Sequence, residues 1–136
     1  MKEEIFRITK DIERAKDLFE MAKERLQDLP LIPKIRTYKI IEEYYEIIKE
    51  LLTAIMYSDG YKTLSHKKLI EYFEKNYNEI DYSGIKIIDS LRKFRNDVVY
   101  YGKKISENFL INNEKEIKKI ISQLLKIAER KIKEGN

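Results

Sequence analysis

Near the start of the chain, apolar residues recur in alternating steps of three and four: Ile5, Ile8, Ile12, Ala15, Phe19, Ala22, Leu26 and Leu29. That spacing lays them along one stripe and predicts a helix over about 2–29. Pro30 and Pro33 end it and stiffen the connector Leu29-Pro30-Leu31-Ile32-Pro33. A second stripe, Tyr38, Ile41, Tyr45, Ile48, Leu52 and Ile55, predicts a helix over about 34–58, stopped in a turn by Ser58-Asp59-Gly60. A shorter helix is expected over about 65–77, with Ser65 as N-cap and Leu69, Ile70, Phe73 and Tyr77 turned inward. The fourth runs from near Ser83 to Tyr101, where Gly102 can take the left-handed closing position. The last covers about 113–133, with Ile117, Ile121, Leu124 and Ala128 on one stripe. No internal repeat or low-complexity linker interrupts the series. Four long amphipathic helices and one short one, joined by brief turns, describe an all-α fold: an antiparallel four- to five-helix bundle forming one domain over 1–136.

Composition agrees with that architecture and removes several chemistries. A chain of 136 residues can bury enough surface to fold without a disulfide or metal staple. It has no cysteine, which excludes zinc ribbons, iron–sulfur clusters and thiol nucleophiles. Its single histidine, His66, cannot build a histidine metal cage. The carboxylate run Glu42, Glu43, Glu46 and Glu50 has no Glu-x-x-His partner and reads as a solvated helix face. Neither a metal nor a cofactor is therefore expected. Lys and Arg number 28 against 24 Asp and Glu, and the basic excess lies in the second half: residues 80–136 carry 13 basic and 8 acidic side chains. Most of these lysines read as a solvated, ion-paired surface, with a weak footprint for phosphate. Abundant lysine, glutamate and isoleucine are compatible with a thermophilic source, although an AT-rich genome gives much the same pattern. No run approaches ~18 apolar residues and Met1-Lys2-Glu3-Glu4 has no secretory pattern, so a cytoplasmic protein with no membrane partner is expected.

The fourth helix holds the candidate chemistry. At about 100° per residue, Ile87, Leu91, Phe94, Val98 and Tyr101 form one stripe, read as the core face. The opposite side collects Ile88, Asp89, Arg92, Arg95, Asn96, Val99 and Tyr100, a mixture of aliphatics, a tyrosine and two arginines that is odd for solvent. It predicts a homodimer with Ile88 and Val99 in the interface and the polar groups lining a shared cleft. Arg95 offers a planar fork suited to phosphate, and Arg92, Asn96 and Tyr100 follow at four-residue spacing. The same spacing permits a plainer arrangement, in which Arg92 pairs with Asp89 on an exposed face and Arg95 caps a dimer rim. His66, at the start of the short helix, reads either as an acid–base group at the cleft mouth or as a packed residue at a helix start. The tyrosines read mostly as core or interface residues, with base stacking open to Tyr44, Tyr57 or Tyr61.

The segment Arg95-Asn96-Asp97-Val98-Val99-Tyr100-Tyr101-Gly102 resembles the signature of the HEPN superfamily, the higher eukaryotes and prokaryotes nucleotide-binding domains. Upstream, Tyr44-Tyr45-Glu46 and the stretch from Asp59 through His66 to Ile70 are similar to small archaeal and bacterial members, so the resemblance spans roughly residues 8–130. It implies a helical bundle, commonly dimeric. It also implies a metal-independent ribonuclease site, in which an Arg and a His from each of two chains support 2′-hydroxyl attack on RNA. Many members are toxins whose antidote is a minimal nucleotidyltransferase. This chain departs where the family's histidine falls: the fifth residue after Arg95 is Tyr100, followed by Tyr101 and Gly102. A phenol with a pKa near 10 is a poor general base at pH 7.

The resemblance puts Arg95 and Tyr100 at the catalytic positions and Asn96 at an RNA or nucleotide subsite, to which the helical spacing adds Arg92 and the place at the start of the short helix adds His66. Tyr100 is also the nearest outward-facing candidate for the adenylylation that some members undergo. The expected function is a HEPN-type dimeric domain, toxin-like or regulated by a nucleotidyltransferase partner, that binds RNA or nucleotide phosphate. The alternative is a non-catalytic helical dimerisation or protein-interaction module.

Overall fold

In the computed structural model, which describes residues 4–135 and the side chains of all of these except 97–106, seven elements follow one another. They are β1 (Ile5–Arg7), α1 (Ile12–Asp28), a 3-10 turn (Leu29–Leu31), α2 (Thr37–Asp59), β2 (Tyr61–Thr63), α3 (His66–Asn76) and α4 (Tyr82–Gly135). The protein is mostly helical, with one small two-stranded sheet.

α2 is the centre of the molecule because it is apolar nearly all the way round. Ile41, Tyr44, Ile48, Leu51 and Ile55 are buried on it, and so are Tyr45, Ile47 and Ala54 on its other sides. It packs chiefly on α4 and α1, and more lightly on α3. Each fully buried Ile or Leu contributes about 1.5–3 kcal/mol relative to exposure. α1 meets α2 through Ala15, Phe19 and Ala22, whose two small side chains let the helices approach closely. α3 starts at the cap expected from the sequence: the Ser65 hydroxyl accepts the Lys68 N–H at 3.1 Å.

The chain start differs from the expectation. α1 begins at Ile12, where the Asp11 carboxylate accepts the Arg14 N–H at 3.0 Å, and residues 5–7 are a strand. The three- and four-residue steps through Ile5 and Ile8 are too few turns to separate a helix from a strand, and a partner decided the matter. β1 pairs antiparallel with β2 in the register Ile5↔Thr63, Phe6↔Lys62, Arg7↔Tyr61. Beyond the strand, the Ile8 N–H donates to the Gly60 carbonyl at 2.9 Å and the Asp11 N–H to the Tyr57 carbonyl at 3.1 Å. Gly60 makes this strap fit: it closes α2 at φ 90°, and a Cβ there would lie 3.1 Å from the Ile8 carbonyl oxygen. The fold is therefore all-α only in its bulk.

α4 covers both of the last two predicted helices as one element, although they were expected as separate spans of 83–101 and 113–133. Its two described arms nevertheless lie side by side. The Phe94 and Phe109 rings are 4.6 Å apart, and the Gln123 side chain donates to the Glu79 carbonyl at 3.2 Å. A Cβ on Gly84 would lie 3.6 Å from Ile120 Cδ1, whereas a straight helix would separate those residues by about 54 Å. The chain thus reverses direction between Phe94 and Phe109, so α1, α2 and the two arms of α4 form the bundle, with α3 against α2 and the first arm. Gly102, the expected closing residue, lies outside the described side chains, as do Val98 and Tyr101 of the expected core stripe.

Candidate functional site

The first arm of α4 is rotated by about one position from the sequence expectation. Its inward residues are Ile85, Ile88 and Leu91, while Ile87 and Phe94 are only partly buried. Ile88 is 0% exposed within the protomer, so it belongs to this chain's own core and not to a dimer interface. The reason is that both sides of the arm have partners in the same chain. Phe94 leans on Phe109, and the side carrying Asp89, Arg92 and Arg95 faces the Tyr45 and Glu46 region of α2. The intermixed aliphatics that suggested a second copy are explained by α2 in the case of Ile88. Val99 and Tyr100 lie outside the described side chains.

The side chains that come together do so around the buried Tyr45 ring. The Arg95 guanidinium carbon lies 5.8 Å from its centroid, within the range of a cation–π contact. The His66 ring, from α3, lies 5.9 Å from the same centroid at a tilt of 46°. An arginine and an imidazole thus share one aromatic platform, although they are far apart in sequence. Burial pushes the Tyr45 phenol up to about 12 in spite of Arg95 and Arg92 nearby, so it stays neutral at pH 7 and is not an acid–base group.

Electrostatics set the protonation of the rest. Burial lowers the His66 pKa from its ordinary value, and the charges of Lys49, Arg95 and Arg92 lower it further against Glu46. His66 is therefore neutral at pH 7, with a lone pair able to take a proton. For Glu46, burial opposes ionisation, but Lys49, Arg95 and Arg25 outweigh it and hold the carboxyl below its usual range. Lys49 straddles that carboxylate at 2.9 and 2.8 Å, although only the approach to Oε1 has hydrogen-bonding geometry. Arg95 reaches Glu46 at only 3.8 Å, and its side chain keeps 35% of its exposure. It is therefore the cation of the cluster best placed to exchange an internal partner for an incoming anion.

Arg92 is committed elsewhere. Its Nε donates to Asp89 Oδ1 at 2.9 Å, and Lys93 reaches the other oxygen of Asp89 at 3.3 Å. This is the plainer pairing that the spacing allowed, in a half-buried rather than exposed setting. Asn96 is exposed. Tyr44, Tyr57 and Tyr61 are not open stacking surfaces. Tyr44 is buried and donates its hydroxyl to Glu114, Tyr57 is half-buried beneath Arg14, and Tyr61 is half-buried against Tyr72.

The carboxylates of α2 are not a solvated face. Glu50 is only 5% exposed, and Glu43 and Glu50 together receive Arg25 from α1, through two 3.1 Å contacts and one of 3.0 Å. Burial raises the Glu50 pKa even beside that arginine. The sequence did not single out Tyr45 or Lys49 as site residues: Tyr45 sits on an apolar stripe and Lys49 among many surface lysines. The one available signal was the i, i+3, i+6, i+7 spacing of Glu43, Glu46, Lys49 and Glu50, which aligns them on one seam. Among the described residues, no group of three or more His, Asp or Glu side chains is placed to hold a metal ion, and no helix is long and apolar enough to cross a membrane. No protein-family model, curated protein or solved structure matches this chain.

Proposed function

We propose that this chain is a HEPN-type domain that binds RNA or nucleotide phosphate at the Tyr45 platform, with Arg95 holding the phosphate and His66 acting as the proton acceptor. The observation that carries the reading is that Arg95 and a neutral His66 lie 5.8 and 5.9 Å from the centroid of one buried ring, close enough for the arginine's charge to act on the imidazole. The family's histidine is missing from its usual place in α4, and His66 supplies an imidazole from α3 instead. In a metal-independent cleavage, His66 takes the 2′-hydroxyl proton as the 2′-oxygen bonds to phosphorus, Arg95 offsets the charge that builds on the phosphate, and the P–O5′ bond breaks to leave a 2′,3′-cyclic phosphate and a 5′-oxygen that takes a proton from water. On this reading the protein is the toxin-like or regulated half of a pair with a minimal nucleotidyltransferase, acts as a homodimer and resides in the cytoplasm. Val99 and Tyr100 keep their proposed places at the dimer interface and the catalytic or modified position.

The competing reading is a non-catalytic dimerisation or protein-interaction module. It is favoured by the internal compensation of both arginines, Arg92 by Asp89 and Arg95 by Glu46. One experiment separates the two: cleavage and binding of total RNA and tRNA in chelator by the wild type, Arg95→Ala and His66→Gln. Arg95→Ala is expected to weaken RNA binding by roughly tenfold or more, the worth of a charge-assisted phosphate contact, with little change in melting temperature. His66→Gln is expected to abolish cleavage and leave binding. Affinity that stays at a weak, salt-sensitive background in all three proteins establishes the interaction module instead.

A further inference from the structure

We infer that the groove between α3 and the first arm of α4 holds a nucleotide flanking the phosphate in a single-stranded RNA, with the Tyr82 ring stacking on its base. This rests on the RNA-binding reading above. Tyr82 is 69% exposed and is the only exposed tyrosine among the residues whose side chains are described. It forms one wall of a groove of about 300 Å³ whose apolar lining includes Ile70 and Ile85. Lys86 Nζ, which also lines the groove, lies 5.4 Å from the Tyr82 ring centroid. A planar, mostly apolar base fits such a slot, and the Ser90 hydroxyl in the lining offers its edge a hydrogen bond.

The groove borders the cluster at Tyr45 through Asp89. Asp89 lines the groove and is also the partner of Arg92. Lys67 and Lys93, both in the lining, are the sequence neighbours of His66 and Arg92. Along α4, Tyr82 lies about 15 Å from Arg92, a span that a short single strand can bridge. Two of the carboxylates present are already engaged, Asp89 by Arg92 and Lys93, and Glu71 by Lys68 at 3.4 Å. Lys67, next in sequence to His66, therefore offers a cation to a phosphate at that end of the groove, while Lys86 lies against the Tyr82 ring.

The test is fluorescence anisotropy of the full chain with a labelled single-stranded oligoadenosine, and with an abasic ribose-phosphate oligomer of the same length. The proteins are the wild type, Tyr82→Ala, Tyr82→Phe and Arg95→Ala. The inference expects Tyr82→Ala to weaken oligoadenosine binding roughly tenfold, Tyr82→Phe to retain it, and the abasic oligomer not to distinguish the three. Equal binding by Tyr82→Ala and wild type, with loss in Arg95→Ala, overturns the groove and leaves the phosphate site standing. Loss in Tyr82→Phe equal to that in Tyr82→Ala, or equal weakening on the abasic oligomer, overturns stacking. Weakening in Tyr82→Ala without any in Arg95→Ala overturns the phosphate site on which the groove depends. Absence of RNA binding by the wild type overturns both.

Discussion

His66 makes the site testable by pH alone. Burial and three nearby cations hold its folded pKa below the unfolded value of about 6.5, so the unfolded chain binds a proton there more readily. The stability contribution is complete above the unfolded value and is lost as pH falls through the lower folded value. The melting temperature of the wild type is therefore expected to fall between pH 7.5 and 5 more steeply than that of His66→Gln, followed by circular dichroism; parallel curves would show that His66 is not held neutral by the fold. At this scale the sequence named His66 and Arg95 as candidates. It could not name Tyr45 as the ring between them, because a tyrosine on a regular apolar stripe is indistinguishable from any core aromatic until another element is packed on it. It also assigned Ile88 to the wrong side. A helix with partners on two sides carries apolar residues around more of its circumference than a single stripe, so periodicity alone left the rotation uncertain by about one position.

Between elements, Asp59 does the joining. It sits at the last turn of α2, where a carboxylate is disfavoured by the helix dipole, and its neighbours compensate. The hydroxyls of Tyr72 and Tyr77 donate to its Oδ2 at 2.8 and 2.7 Å, and Lys131 from the second arm of α4 meets Oδ1 at 2.7 Å. Burial and the Asp59 carboxylate push both phenols well above their ordinary pKa, so they remain donors at any pH the protein meets. Three elements are thus tied at one point, beside the Gly60 turn that carries the β1–β2 strap. Asp59→Ala should cost roughly 3 kcal/mol in urea unfolding, since it strands two half-buried hydroxyls and a cation, and Asp59→Asn should cost less because it keeps an acceptor. A loss below about 0.5 kcal/mol would mean that the elements are held by apolar packing alone. The sequence marked this turn through Ser58-Asp59-Gly60, and it placed the start of α3 correctly at Ser65. It did not show which side chains would converge on the turn.

Across the whole molecule, a seam of charge runs along α2 from α1 to α3 and α4. Arg25 binds Glu43 and Glu50 at one end, and Glu46 with Lys49 leads to Arg95 and His66 at the other. Removing Arg25 leaves the buried Glu50 carboxylate without its hydrogen-bonded cation. Arg25→Ala is expected to cost about 1–3 kcal/mol in urea unfolding, reduced from a fully buried pair because the arginine is itself one-third exposed. Recovery of most of that loss in Arg25→Ala with Glu50→Gln would identify the stranded charge as the cause; no recovery would assign the loss to packing of the arginine stem.

By itself the sequence determined the helical character, the α2 and α3 spans to within a few residues, the Ser65 cap and the turn at Gly60 that ends α2. These depend on periodicity and capping within a few residues of chain. Only the tertiary structure decided that residues 5–7 pair with 61–63, that the arms of α4 lie side by side, that Ile88 faces inward, and that Arg95 and His66 both lie near the Tyr45 ring. Each of those joins residues separated by many turns of chain, and such contacts are chosen by packing whole elements against one another, which no local pattern encodes.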